Sequence, residues 1–98
     1  MSKFGELITG NTPVLLDFYT NESENSIETT HLMHNVASAL GDKAKVIKIN
    51  VDKNPDLADA LKIKSIPTFI IYKYGEMVWR QSGDIAANDL ILRVEENI

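Results

Sequence analysis

The residues with chemical potential gather in one stretch, Asn21-Glu22-Ser23-Glu24-Asn25-Ser26, followed closely by Glu28, His31 and His34. Serines near a histidine suggest acyl transfer. A serine nucleophile, however, needs a base and an orienting acid arranged around it, and there is neither a Gly-x-Ser-x-Gly elbow nor any other spacing that places them. Asn21, Ser23 and Asn25 read better as helix caps, with Glu24 and Glu28 favoured in a first turn by the helix dipole. Glu28, His31 and His34 have ligand chemistry for a metal. Their spacing sets the histidines on adjacent rather than convergent helix faces, and the sequence offers no second ligand cluster. The expectation is therefore no metal and no other cofactor. The chain has 0 cysteines, which excludes disulfides, thiolate chemistry and cysteine-ligated zinc.

The elements that must position these residues follow from hydrophobic spacing. Pro13 to Tyr19 is an apolar run broken only by Asp17, which suits a strand buried on both faces. Lys45 to Val51 alternates in strand fashion. Between them Met33, Val36, Ala37 and Leu40 fall on one helix face, and Gly41 stops the pattern. Asn54-Pro55-Asp56 opens a short helix carrying Leu57, Ala58 and Leu61, with the Asn54 side chain accepting from first-turn amides. Thr68 to Tyr72 and Met77 to Gln81 form a hairpin through residues 73–76, with Gly75 supplying a positive φ. Leu90, Ile91 and Val94 mark an amphipathic C-terminal helix, while Tyr72 and Trp79 read as packing residues. The order is helix, strand, helix, strand, helix, strand, strand, helix. Strands separated by helices imply parallel crossovers and the final hairpin is antiparallel, so the fold class is α/β with a mixed sheet and helices on both faces.

The 98 residues are 44% hydrophobic and 24% charged with a net charge of −4, ordinary composition for one domain spanning residues 1–98. An acidic balance without a dense basic stripe argues against nucleic acid. No apolar run approaches a membrane span and Met1-Ser2-Lys3-Phe4-Gly5-Glu6 lacks a signal-peptide design, so a soluble, cytoplasmic protein without a membrane partner is expected.

Four segments resemble the thioredoxin family over nearly the whole chain. They are Pro13-Val14-Leu15-Leu16-Asp17-Phe18-Tyr19; Lys48-Ile49-Asn50-Val51-Asp52 with Asn54-Pro55; Ser65-Ile66-Pro67-Thr68-Phe69; and Tyr74-Gly75-Glu76 leading to Gly83. In order and spacing they are similar to the family's first central strand, its next strand and helix start, its cis-proline loop and its closing hairpin. The resemblance implies a thioredoxin-like fold with a four-stranded mixed sheet, the usual N-terminal edge strand being absent. It also aligns Asp17 with a buried acid that moves protons for a dithiol, with Lys48 as its neighbour. An ionised acid in an apolar strand is costly unless paired, so the expectation is an Asp17–Lys48 ion pair or a hydrogen-bonded remnant, with a raised Asp17 pKa.

The departure falls on the chemistry. Where the family carries Trp-Cys-Gly-Pro-Cys, this chain has Glu22-Ser23-Glu24-Asn25-Ser26. A helix N-terminus lowers a cysteine pKa by up to about 5 units, but the same shift applied to a hydroxyl, which titrates far above neutrality, leaves it neutral at pH 7. Oxygen forms no reversible covalent bridge, and Glu22, Glu24 and Glu28 oppose ionisation further. More than the sulfurs has changed.

The reading is a redox-inactive binding or adaptor module holding an extended peptide segment of a partner protein. The expected contact residues are Ile66, Pro67, Thr68 and Gly83 with Glu22, Glu24 and Asn25, the acids favouring basic partners. The alternative is a protein-disulfide reductase whose cysteines have been replaced by Ser23 and Ser26. A third possibility is an oligomerising domain that uses an open sheet edge, and a monomer or weak dimer is expected.

Overall fold

Strand β1 (Val14–Tyr19) lies inside a four-stranded sheet, and Val14 to Phe18 are sealed from solvent. The computed structural model describes residues 3–23 and 27–98. Around β1 the chain forms α1 (Lys3–Ile8), α2 (Ile27–Leu40), a single 3-10 turn (Gly41–Lys43), β2 (Lys45–Asn50), α3 (Pro55–Ala60), β3 (Thr68–Lys73), β4 (Glu76–Ser82) and α4 (Ala87–Glu95). This is the element order read from the sequence. The sheet runs β2-β1-β3-β4.

Alternation along β1 divides the core in two. Leu15 faces one cluster with Met33, Val36 and Leu40 of α2, Phe69 and Ile71 of β3, and Leu90 and Val94 of α4. Leu16 and Phe18 face the other, with Ile8, Ile49, Ile70 and Tyr72, under α1 and α3. Phe4 closes that side with its ring edge-on to Tyr72, centroids 5.5 Å apart. On α2 the buried stripe departs from the expected one: Ala37 is exposed, and Leu32 packs against the core instead.

β1 and β2 are parallel, but β3 runs antiparallel to β1 despite the helix that separates it from β2. The parallel crossover expected there fails for a reason of length. A crossover must return the chain by a full strand, roughly 20 Å for six residues. The 14 residues of α2 span about 21 Å, whereas the 6 residues of α3 span about 9 Å. β3 therefore enters from the far end. It continues into β4 through a two-residue turn in which Tyr74 (φ 55°) and Gly75 (φ 79°) are both left-handed, the geometry that matches the strand twist. The amides of Tyr74 and Gly75 donate to the carbonyls of Gly10 and Ile8, each at 3.0 Å, and tie the turn to the α1–β1 loop.

Pro55 begins α3 as expected, but Asn54 does not cap it: its Nδ2 donates to the Asn50 carbonyl at 2.8 Å. The other end of α3 is closed by the Ile63 amide on Ala58 O (2.9 Å) and the Lys62 amide on Asp59 O (3.1 Å), a Schellman arrangement. Arg80 of β4 adds its guanidinium to the Leu61 and Lys62 carbonyls. Lys62 sits at the left-handed position with φ 55°, where a Cβ costs about 1–2 kcal/mol. Lys62→Gly removes that cost at the expense of unfolded-state entropy. The variant is expected to be about 0.5–1 kcal/mol more stable in urea titration, and a loss of stability would show that the Lys62 side chain contributes more than its backbone costs.

Candidate functional site

The peptide bond joining Ile66 to Pro67 is cis, and the Gly83 amide donates to the Pro67 carbonyl at 2.8 Å. Gly83 adopts φ 93°. This bond brings the segment after β4 alongside the loop before β3. Among the described residues neither the amide nor the carbonyl of Ile66 enters a hydrogen bond. Its side chain is half-buried against the second core.

Thr68 departs from its expected role as a contact residue. It is wholly enclosed, with Oγ1 donating to the Ser65 carbonyl at 2.6 Å and lying 3.1 Å from Ser82 Oγ. It locks the loop onto β4 and has no surface for a partner.

A groove of about 240 Å³ lies between this loop and the first turns of α2. Leu32, Pro67, Phe69 and Ile85 line it with apolar surface, Thr29 contributes a polar wall, and Glu28 and Asp84 supply carboxylates. Both acids are solvent-exposed. Glu28 has a place in the sequence as a first-turn acid and as a ligand type beside His31 and His34, whereas no motif marks Leu32, Asp84 or Ile85. Ile85, the large apolar residue in the connection between β4 and α4, is the available signal.

Glu22 is exposed in the turn after β1. Glu24, Asn25 and Ser26 lie outside the described residues. Among the described residues Ser23 bonds back into the turn after β1: its hydroxyl accepts from the Thr20 amide at 2.9 Å and donates to the Thr20 carbonyl at 3.2 Å. Asn21 is engaged as well. Its Oδ1 accepts from Asn50 Nδ2 at 2.7 Å and its amide donates to Asp52 Oδ2 at 2.7 Å, joining the end of β1 to the end of β2. Both residues satisfy local turn groups, and among the described residues the Ser23 hydroxyl bonds Thr20 and no basic side chain. His31 and His34 are exposed, and among the described residues no cluster of metal-ligating side chains forms. Tyr72 is buried and Trp79 packs against the first core, as their reading as packing residues requires.

The expected Asp17–Lys48 pair does not form. The two are register partners across β1 and β2, but Lys48 is exposed at the sheet margin and its Nζ stands 4.7 Å from the Tyr19 ring centroid. Asp17 is fully buried, and neither carboxylate oxygen has a hydrogen-bond partner among the described residues. The hydrogen-bonded alternative fails with the ion pair.

A family model described as thioredoxin matches residues 1–96. Thioredoxin Y1, chloroplastic, from Arabidopsis thaliana is 35% identical over 92 residues, 94% of this chain and 54% of that protein. The chain thus spans little more than half the length of this relative. A thioredoxin from Rickettsia bellii is 32% identical over 95% of this chain and 89% of its own length. Among solved structures, a mutant thioredoxin from Halobacterium salinarum superposes with a TM-score of 0.81 at 28% identity, covering 97% of this chain and 82% of the other. Thioredoxin-2 of the malaria parasite, described as a component of its protein secretion machinery, gives 0.81 at 27% identity over 90% of this chain and 85% of its own.

Burial raises the Asp17 pKa to about 6, against the weaker opposing pull of the Lys48 charge. Because the folded pKa lies above the unfolded value near 3.9, the acid is protonated in the folded chain where the unfolded one has already ionised. Its favourable contribution is complete below pH 4 and is lost as pH rises toward and through 6. A shift of this size corresponds to roughly 3 kcal/mol. Asp17→Leu is therefore expected to be more stable than the native chain at pH 7, with the gap narrowing by about 2–3 kcal/mol at pH 4. Denaturant titration at the two pH values checks this, and an unchanged gap would remove the ionisation account.

Proposed function

Since the chain belongs to the thioredoxin family and carries 0 cysteines, we propose that it works as a redox-inactive binding module that holds an extended, basic segment of a partner protein. The observation that carries this reading is the groove between Pro67 and the start of α2. It retains an apolar lining and presents Glu28 and Asp84, although no sulfur stands beside it. The unengaged amide and carbonyl of Ile66 offer strand-like pairing to the backbone of such a segment. Glu22, exposed in the turn after β1, stays among the proposed contact residues, whereas the enclosed Thr68 does not.

The competing reading, a disulfide reductase with serines in place of its cysteines, requires sulfur at positions 23 and 26. As the chain stands, no atom can attack a disulfide. A cytoplasmic setting is part of the proposal; relatives such as the Arabidopsis protein are chloroplastic.

Fluorescence anisotropy with extended peptides alternating lysine and apolar residues tests the groove. Binding is expected to be insensitive to reductant and weakened at least about tenfold by the double variant Glu28→Lys/Asp84→Lys, a loss of about 1.4 kcal/mol. Both side chains are exposed, so the variant keeps its core. Equal binding by native and variant chains, or preference for an acidic peptide, would overturn the proposal.

A further inference from the structure

A second surface, away from Pro67, has the opposite charge. Strand β2 forms one margin of the sheet. The Lys45 amide donates to Pro13 O at 2.9 Å and the Val51 amide to Tyr19 O at 2.8 Å, so the odd-numbered residues of this stretch turn their peptide groups toward β1. Strand alternation then turns the amides and carbonyls of Val46 and Lys48 outward, where no described residue pairs with them. The open stretch ends at Asn50, whose carbonyl is taken by Asn54 Nδ2 at 2.8 Å.

Beside this edge runs a cleft of about 410 Å³. Phe4 and Leu7 of α1, Ile47 and Ile49 of β2, and Leu57 of α3 give it apolar walls. Its charged lining consists of Lys48 and Lys53, with no acid among the lining residues. Asp52, close by in sequence, is turned to the Asn21 amide. In a chain of net charge −4, this is a local inversion of sign.

We propose that the β2 edge takes up an extended segment of a partner protein in which acidic residues alternate with apolar ones. Outward peptide groups at Val46 and Lys48 supply main-chain pairing. Side chains on one face of the added strand enter the cleft against Ile47 and Ile49. Those on the other face lie beside Lys48, where carboxylates complement its ammonium. A second copy of this chain fits less well, because edge-to-edge pairing would lay two lysine-bearing strands side by side with no carboxylate in either. This site is independent of the groove at Pro67 and prefers the opposite charge.

The test uses the full chain, nitrogen-labelled, titrated with a short capped peptide alternating glutamate and valine. Amide shifts are expected to concentrate at Val46 and Lys48 and to be absent with the lysine–valine counterpart. Lys48→Glu, a change at an exposed side chain, should weaken binding about tenfold or more, as should N-methylation of those peptide amides that face the edge. Glu28→Lys/Asp84→Lys should leave this binding intact, which separates failure here from failure at the groove. Shifts centred on Glu28 and Pro67, equal affinity for the basic peptide, self-association through Val46 and Lys48 without peptide, or no binding by the native chain would each overturn the proposal. The last outcome would leave the lysines as guards against edge pairing.

Discussion

The burial of β1 on both faces is the constraint from which the rest of the architecture follows. With Val14 to Phe18 sealed, each face must be covered by apolar helix surface. One helix pair, α2 and α4, covers Leu15, while α1 and α3 cover Leu16 and Phe18. The sheet cannot slide by one residue without exchanging these two sets, so the register that places Asp17 level with Lys48 and Phe69 is fixed by packing rather than by any attraction of its own. That is how an acid without a hydrogen-bond partner persists in the centre of the sheet. The core holds it there at a cost, which burial expresses as the raised pKa.

Those features set by spacing alone were legible in the sequence. The order of elements, the mixed sheet and the two-sided core all come from where apolar residues recur along the chain. Direction was less legible: residues 54–61 mark a short helix, but the rule that strands separated by a helix run parallel takes no account of helix length, and at 6 residues α3 does not return the chain by a strand length. Local polar side chains were least legible of all. Asn21, Ser23 and Asn54 each have the chemistry of a helix cap, yet each bonds a neighbouring turn or strand end, because the competing partners become available only when the loops are in place. Lys48 shows the same limit at longer range, since register sets its Cα beside Asp17 but its long side chain leaves for the Tyr19 ring and solvent.

The candidate groove follows a similar division. Pro67 and Gly83 stood out as sequence features, and the hydrogen bond between them closes the loop. The side chains that shape the groove come from three separate segments, the first turns of α2, the start of β3 and the connection after β4. No motif joins these segments. Leu32 lies one position from the helix stripe that was chosen, and Phe69 is at once a core residue and part of the groove wall. A residue that serves both needs carries no separate signal.

Loss of sulfur also changes what binding must achieve. A thiol that attacks a partner disulfide holds that partner covalently during exchange, so the surrounding contacts need only orient it. A chain offering hydroxyls has to supply the whole affinity without a bond, about 8 kcal/mol for micromolar association, and must overcome the entropy of ordering an extended segment. Apolar grooves of this size with polar margins gain by combining main-chain pairing with charge selection, because pairing is indifferent to sequence and charge is not. Glu28 and Asp84 at one groove and Lys48 and Lys53 at the other cleft give the two surfaces opposite charge, and the partners proposed for them differ accordingly.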